Sequence, residues 1–129
     1  MTAGLSAVNF ANATLNVLRN TSFTGIATPF IQLHTADPGA SGTTAVSVGS
    51  ATRNAITWNA ASAGSMTLST LAAWTNGGTS ETLSHISLWT ASSAGSINGT
   101  AQLTASQAWA SGNTFTLNSL SIAITPIAV

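Results

Sequence analysis

Apolar and polar positions alternate with period two over Phe30-Ile31-Gln32-Leu33-His34, with Ile31 and Leu33 on one parity and Phe30, Gln32 and His34 on the other. That is the signature of a half-buried β-strand. Asp37-Pro38-Gly39 then ends it, because proline presets φ at about −65° and glycine accepts the positive φ of a type II turn. Upstream, Val8, Ala11, Leu15 and Leu18 recur at steps of three and four, which predicts a helix over 7–19 with one buried stripe. Ser6 is its expected N-cap, Arg19 sits near the negative end of the dipole, and Gly25 with Pro29 bars continuation. A helix of about three turns is marginal alone in water, so it is expected to dock on the sheet edge or open end.

Downstream the segments are short. Residues 40–52 are small and polar, with Val46 and Val48 alone in alternation, and read as a loop or arm available to a partner. Strands are expected over 54–59, 65–73, 82–89, 97–103, 114–117 and 120–125, separated by turns at Ala63-Gly64, Asn76-Gly77-Gly78, Ala94-Gly95, Asn98-Gly99 and Ser111-Gly112-Asn113. This spacing predicts a mainly β fold: one domain over 1–129, an antiparallel, jelly-roll-like β-sandwich carrying a short N-terminal helix. There is one internal echo. Trp58-Asn59-Ala60-Ala61-Ser62-Ala63-Gly64-Ser65 parallels Trp89-Thr90-Ala91-Ser92-Ser93-Ala94-Gly95-Ser96, each a strand ending in tryptophan followed by a turn.

Composition changes the picture in one respect. The chain has 129 residues, 44% of them hydrophobic, and a mean hydropathy of +0.35, so it should fold and bury a core. Yet its charged residues are Arg19, Arg53, Asp37 and Glu81, a mere 3% of the chain with net charge zero. Surfaces of soluble monomers carry far more charge than this. Interface cores, by contrast, are depleted of ions, so the composition favours a homo-oligomer, most plausibly a trimer, with Trp109 or the 40–52 loop in the interface. Two arginines cannot supply the phosphate contacts of a nucleic-acid partner. With no cysteine there is neither disulfide nor thiolate zinc site. Residues 1–5 lack the pattern of a secretory signal and no window reaches the length of a membrane span, so synthesis in the cytoplasm and no membrane partner are expected.

Candidate chemistry is sparse. His34, His85, Asp37 and Glu81 are the titratable groups beside two arginines, and no nucleophile elbow or carboxylate pair accompanies them. No enzymatic activity, metal site or cofactor is expected; His85 is the better of the two histidines for a metal. Trp58 and Trp89 end alternating strands and are expected in the core. Trp74 and Trp109 adjoin polar turns and are expected to be partly exposed. With Val46 and Val48 they form the candidate contact set for a partner or a glycan.

Several of these segments carry a resemblance. L-N-V-L-R-N-T-S-F-T from Leu15, F-I-Q-L-H-T-A-D-P-G from Phe30, R-N-A-I-T-W from Arg53, S-H-I-S-L-W from Ser84 and A-S-G-N-T-F-T-L from Ala110 resemble, in the same order, the small tail-fibre-like or minor tail proteins of tailed bacteriophages. Where that family carries aspartates, this chain has Thr90 and Asn113, so no acid role transfers. The resemblance implies a non-enzymatic component of the virion exterior, docked on other capsid or tail proteins. It has no sustained heptads or stalk repeat, so capsid decoration stands beside a tail role. A carbohydrate- or receptor-binding β-sandwich is the alternative, and a hydrolase the remote third.

Overall fold

The computed structural model describes residues 3–125. The chain is mainly β, as expected: a seven-stranded antiparallel sheet in the order β1-β7-β6-β2-β3-β4-β9, accompanied by a two-stranded ribbon β5-β8. The strands are β1 (Gly4–Leu5), β2 (Phe30–His34), β3 (Asn54–Trp58), β4 (Ser65–Leu71), β5 (Trp74–Thr75), β6 (Glu81–Trp89), β7 (Ile97–Trp109), β8 (Thr114–Phe115) and β9 (Ser121–Ala123). The sheet curls. Residues of β9 face those of β1, β6 and β7 across a shared apolar cavity of about 200 Å³, which gives the sandwich its second wall.

β2 lies at the centre and is buried on both faces. Its register with β6 sets Ile31 opposite Leu88 and Leu33 opposite Ile86, and these four face a core completed by Ile56, Leu83, Trp74 and Trp109. Burying aliphatic side chains of this size contributes about 1.5–3 kcal/mol each. The other face carries Gln32 and His34, opposite Ser87 and His85 of β6, and is roofed by the long loop between β2 and β3. Beyond the point where β3 leaves the edge of β2, that loop takes over the pairing. Ser47 N–H donates to Leu33 O at 3.0 Å and Thr35 N–H to Ala45 O at 2.9 Å.

Two expectations are corrected. First, the 7–19 segment is helical but irregular, with a π turn at Ala7–Ala11, an α turn at Asn12–Asn16 (α1) and a 3₁₀ turn at Val17–Arg19. Ser6 caps it, its Oγ accepting the Asn9 N–H at 3.2 Å, and Asn20 ends it at φ 60°, ahead of Gly25 and Pro29. Its apolar stripe is not buried: Val8 is 76%, Leu15 63% and Leu18 88% exposed. The tether decides this. Ser6 N–H donates to Asn98 O at 2.7 Å and Asn9 Nδ2 to Ile97 O at 2.8 Å, rolling a polar side toward the start of β7 and the stripe outward.

Second, β7 runs on to Trp109, well past the expected 97–103, through a wide bulge. Leu83 pairs with Gln107 but His85 pairs with Gln102, so residues 103–106 loop out opposite Ser84. Residues 103–108, Leu-Thr-Ala-Ser-Gln-Ala, are mostly small or polar and give no alternation. β5 was hidden for a similar reason, being two residues long and recognisable by its pairing with β8 alone.

The hairpin turns hold stored strain. Ala63 and Gly64 both adopt positive φ, 49° and 75°, with Ser62 and Ser65 exchanging hydrogen bonds across them. A left-handed alanine costs about 1–2 kcal/mol relative to a permissive residue. Ala63→Gly should therefore raise the thermal midpoint by a few degrees, measured by circular dichroism. Gly42→Ala should lower it markedly, because φ there is +69° and an added Cβ would lie 2.3 Å from Ile97 Cδ1 and 2.7 Å from Trp89 Cζ2.

Candidate functional site

The densest polar constellation lies between β2, β6 and the covering loop. His34 is fully buried. Its Nδ1 meets Thr44 O at 2.9 Å, and since a carbonyl can only accept, Nδ1 carries the proton. Nε2 then accepts from the Ser87 hydroxyl at 2.7 Å, and Ser87 Oγ in turn accepts the Trp89 Nε1–H at 2.7 Å. Over the Trp89 ring lies the Arg53 guanidinium, 3.5 Å from the centroid, donating also to Gln32 Oε1, Ala91 O and Ala94 O. Every member of this relay is spoken for by a neighbour inside the protein.

A second polar hub pins the far end of the loop. The Glu81 carboxylate accepts from the Ser47 hydroxyl, from Val48 N–H at 3.1 Å and from Gly49 N–H at 3.2 Å. Asn76, also buried, donates from Nδ2 to Thr79 O and Trp109 O, while its Oδ1 accepts from Gly78 N–H. Gly49 must be glycine here, because a Cβ would come within 2.7 Å of the Asn76 amide. Residues 40–52 are thus laid down along the sheet edge rather than extended as a free arm.

The contact set expected from the sequence is dispersed. Trp74 and Trp109 are each 2% exposed, which corrects the expectation that they lie partly at the surface. Both pack near Phe115, with ring centroids 6.2 and 6.4 Å away, and both indole N–H groups are satisfied by carbonyls, of Thr52 and Asn113. The turn after Trp109 provides its acceptor, whereas that of Trp74 comes from the distant Thr52, so the polarity of the neighbours in sequence misled in both cases. Val46 is half-buried in a bridge to His34, and Val48 is 69% exposed. Trp89 is buried as expected, while Trp58 is partly buried against the core.

The remaining titratable groups serve local hydrogen bonds. Asp37 accepts from Gly39 N–H at 2.9 Å, a bond that holds its carboxyl below the usual range, and it serves the turn. His85 Nδ1 lies 2.9 Å from Ser84 Oγ, whose hydroxyl is also 2.8 Å from Thr35 O. Among the described residues no three His, Asp or Glu side chains gather as a metal site. An open groove of about 620 Å³ lies between β7 and residues 116–121, lined by Gln102, Gln107, Asn118, Leu103 and Phe115. It holds no titratable group.

With that geometry in view, comparison with known families is informative: residues 4–125 match the family described as podophage GP4 fiber I protein gp80. The chain belongs to that family. No curated protein matches it. Membership agrees with the resemblance to phage tail-fibre-like proteins carried by the sequence segments, and those segments have structural duties in this fibre protein. R-N-A-I-T-W supplies Arg53 and Ile56, S-H-I-S-L-W supplies the Ser87–Trp89 pair, and T-A-D-P-G makes the turn that starts the covering loop. Thr90, standing where the resemblance places an aspartate, accepts from Ser96 N–H at 2.9 Å, and Asn113 O accepts from Trp109 and Asn76. A turn-capping side chain at position 90 needs an oxygen acceptor, which threonine provides as well as aspartate.

The His34 relay gives the fibre protein a pH signature. Burial lowers the His34 pKa from 6.5, offset in part by the Thr44 carbonyl and reinforced by the nearby His85 and Arg53. The folded state therefore binds this proton less readily than the unfolded state, so the stabilisation is complete above about pH 6.5 and is lost as pH falls below it. Urea midpoints should decline on acidification from pH 7 to 5. In His34→Gln the protein should be weaker throughout and the slope over that interval flatter.

Proposed function

We propose that this fibre-family chain is a non-enzymatic structural component of a tailed-phage virion, assembled from several copies of itself and docked on the particle exterior. The observation that carries the reading is the family match, which spans nearly all of the described chain. The interior supports it: the Ser87–His34 hydroxyl–imidazole pair is fully buried and bonded within the core, and the carboxylates and Arg53 hold turns and loops. Among the described residues no helix is long and apolar enough to cross a membrane. A tail position is favoured by the family's description, with decoration of the capsid as the competing location.

The glycan-binding alternative required Trp74 and Trp109 side by side at the surface. Both are in the core, so a stacking platform for a sugar ring is missing where it was sought.

Antibody raised against the purified chain and visualised with immunogold on negatively stained particles should decorate virions. Gold at the tail supports the fibre role, and gold over the head would reassign it to the capsid. Particles left unlabelled, with the same antibody detecting the protein free in the lysate, would overturn the virion reading.

A further inference from the structure

Residues 39–45 form a strap laid across the end of β6 and the start of β7. Gly42 is buried against both, since a Cβ there would overlap Ile97 and the Trp89 ring. Around it Ala40, Ser41, Thr43 and Thr44 are exposed, so the strap brings little apolar surface to hold itself down. Gly42 N–H donates to Gly39 O and Thr44 N–H to Pro38 O, bonds that stay within the loop. Its ties to β2 and the residue after it come at the far end, where His34 Nδ1–H donates to Thr44 O and Thr35 N–H to Ala45 O, each at 2.9 Å. Between those two carbonyls the backbone is strained. Ala45 has φ 50°, a left-handed conformation that a Cβ disfavours.

The imidazole at this tie has a donor on one nitrogen and an acceptor on the other, with Nε2 taking the Ser87 hydroxyl proton at 2.7 Å. An added proton would remove that acceptor and place a charge on a fully buried ring. Of the groups facing it, His85 lies opposite on β6 and Arg53 beyond Gln32, and both oppose a positive ring. The carboxylates are committed elsewhere, Asp37 to its turn and Glu81 to residues 47–49. Water would relieve the charge. β6 closes one side of His34 through the ladder, so the way in for water is the strap.

We infer that the strap is an acid-released cover: a proton taken up by His34 lifts residues 39–45 while the sheet stays folded, uncovering Trp89 and Ile97. Residues 47–49 stay down, because Glu81 holds them without the imidazole. With the strap closed, burial keeps the His34 pKa below 6.5; with it open, the ring meets water and titrates near the ordinary value. The open state binds the proton more readily, so closure is complete above about pH 6.5 and is lost as pH falls from there. One proton links the two states, so opening rises by at most about tenfold per pH unit.

The test is native-state hydrogen exchange of the full chain by NMR at pH 7 and pH 5, in zero to sub-denaturing urea, corrected for the intrinsic pH dependence of exchange. The Thr35 amide and the Trp89 indole N–H report on the strap. Both should exchange faster than the β6–β7 ladder amides and independently of urea, as a local opening does. Their opening should increase on acidification, by up to about thirtyfold over the 1.5 units below pH 6.5. Reporters that exchange with the urea dependence of the ladder, or whose opening is the same at both pH values, overturn the inference. In His34→Gln the rise should vanish, and its persistence overturns the assignment to His34. Should that variant fail to fold, His85→Gln decides: the rise should remain, and its loss there transfers the effect to His85 and overturns the inference.

Discussion

The hydrogen bond from the Ser87 hydroxyl to His34 Nε2 lies in a layer without access to water, and the arrangement of the surrounding chain follows from keeping it intact. A strand buried on both faces must satisfy whatever polar groups it carries, and β2 carries Gln32 and His34 on one of them. Leaving either unmatched costs roughly 1–3 kcal/mol. The loop after the Asp37-Pro38-Gly39 turn meets that demand from above. Thr44 O receives the imidazole N–H, Ala51 O receives the Gln32 amide, and Arg53 spans from Gln32 to the turn beyond Trp89. A neutral imidazole fits this relay because one nitrogen must donate and the other accept. Protonation would oblige both to donate and leave the Ser87 hydroxyl proton without its acceptor.

The same economy explains the scarcity of surface charge. Arg53 lies over an indole, Glu81 gathers the backbone N–H groups of Val48 and Gly49, and Asp37 closes its turn. Three of the four charged residues therefore act locally as hydrogen-bonding devices, and Arg19 at the end of the helical segment is the fourth. What is left for the exterior is a field of serine, threonine, asparagine and small apolar side chains. Such a surface has little long-range electrostatic steering or repulsion, so association must come from shape and apolar contact.

The strands and turns were largely legible in the sequence because their determinants are local. Alternation marked β2, β3 and β6, and the Ala-Gly pairs marked the hairpins. The burial of side chains beside turns was not legible. Trp74 and Trp109 sit next to turns in sequence, but what buries them is their shared neighbourhood in space around Phe115, with the Trp74 indole bonded to the distant Thr52 carbonyl. The helix shows the converse: its stripe was read correctly as a stripe, but its direction depends on two hydrogen bonds to the start of β7, more than eighty positions away. For the same reason the 40–52 segment, featureless as a string of small residues, becomes specific only when Glu81 and β2 offer it partners.

The order β7-β6-β2-β3-β4 sets one hairpin on each side of the central strand, and the echo between Trp58–Ser65 and Trp89–Ser96 falls on those two hairpins. Both turns use an alanine–glycine pair at positive φ, Ala63-Gly64 and Ala94-Gly95. The tryptophans at their bases meet different fates. Trp89 lies under Arg53 and the covering loop, whereas Trp58 is partly exposed beside a strand face on which Thr57 bonds Thr70 and Asn59 bonds Thr67 in view of solvent. Identical turn chemistry thus builds two hairpins, because a tight turn is governed by the sterics of its own residues. What distinguishes them is the roof, and the chain provides one roof, spent on the side where His34 requires it. The opposite hairpin can stay open because its outward groups are hydroxyls and amides that water, or each other, can satisfy.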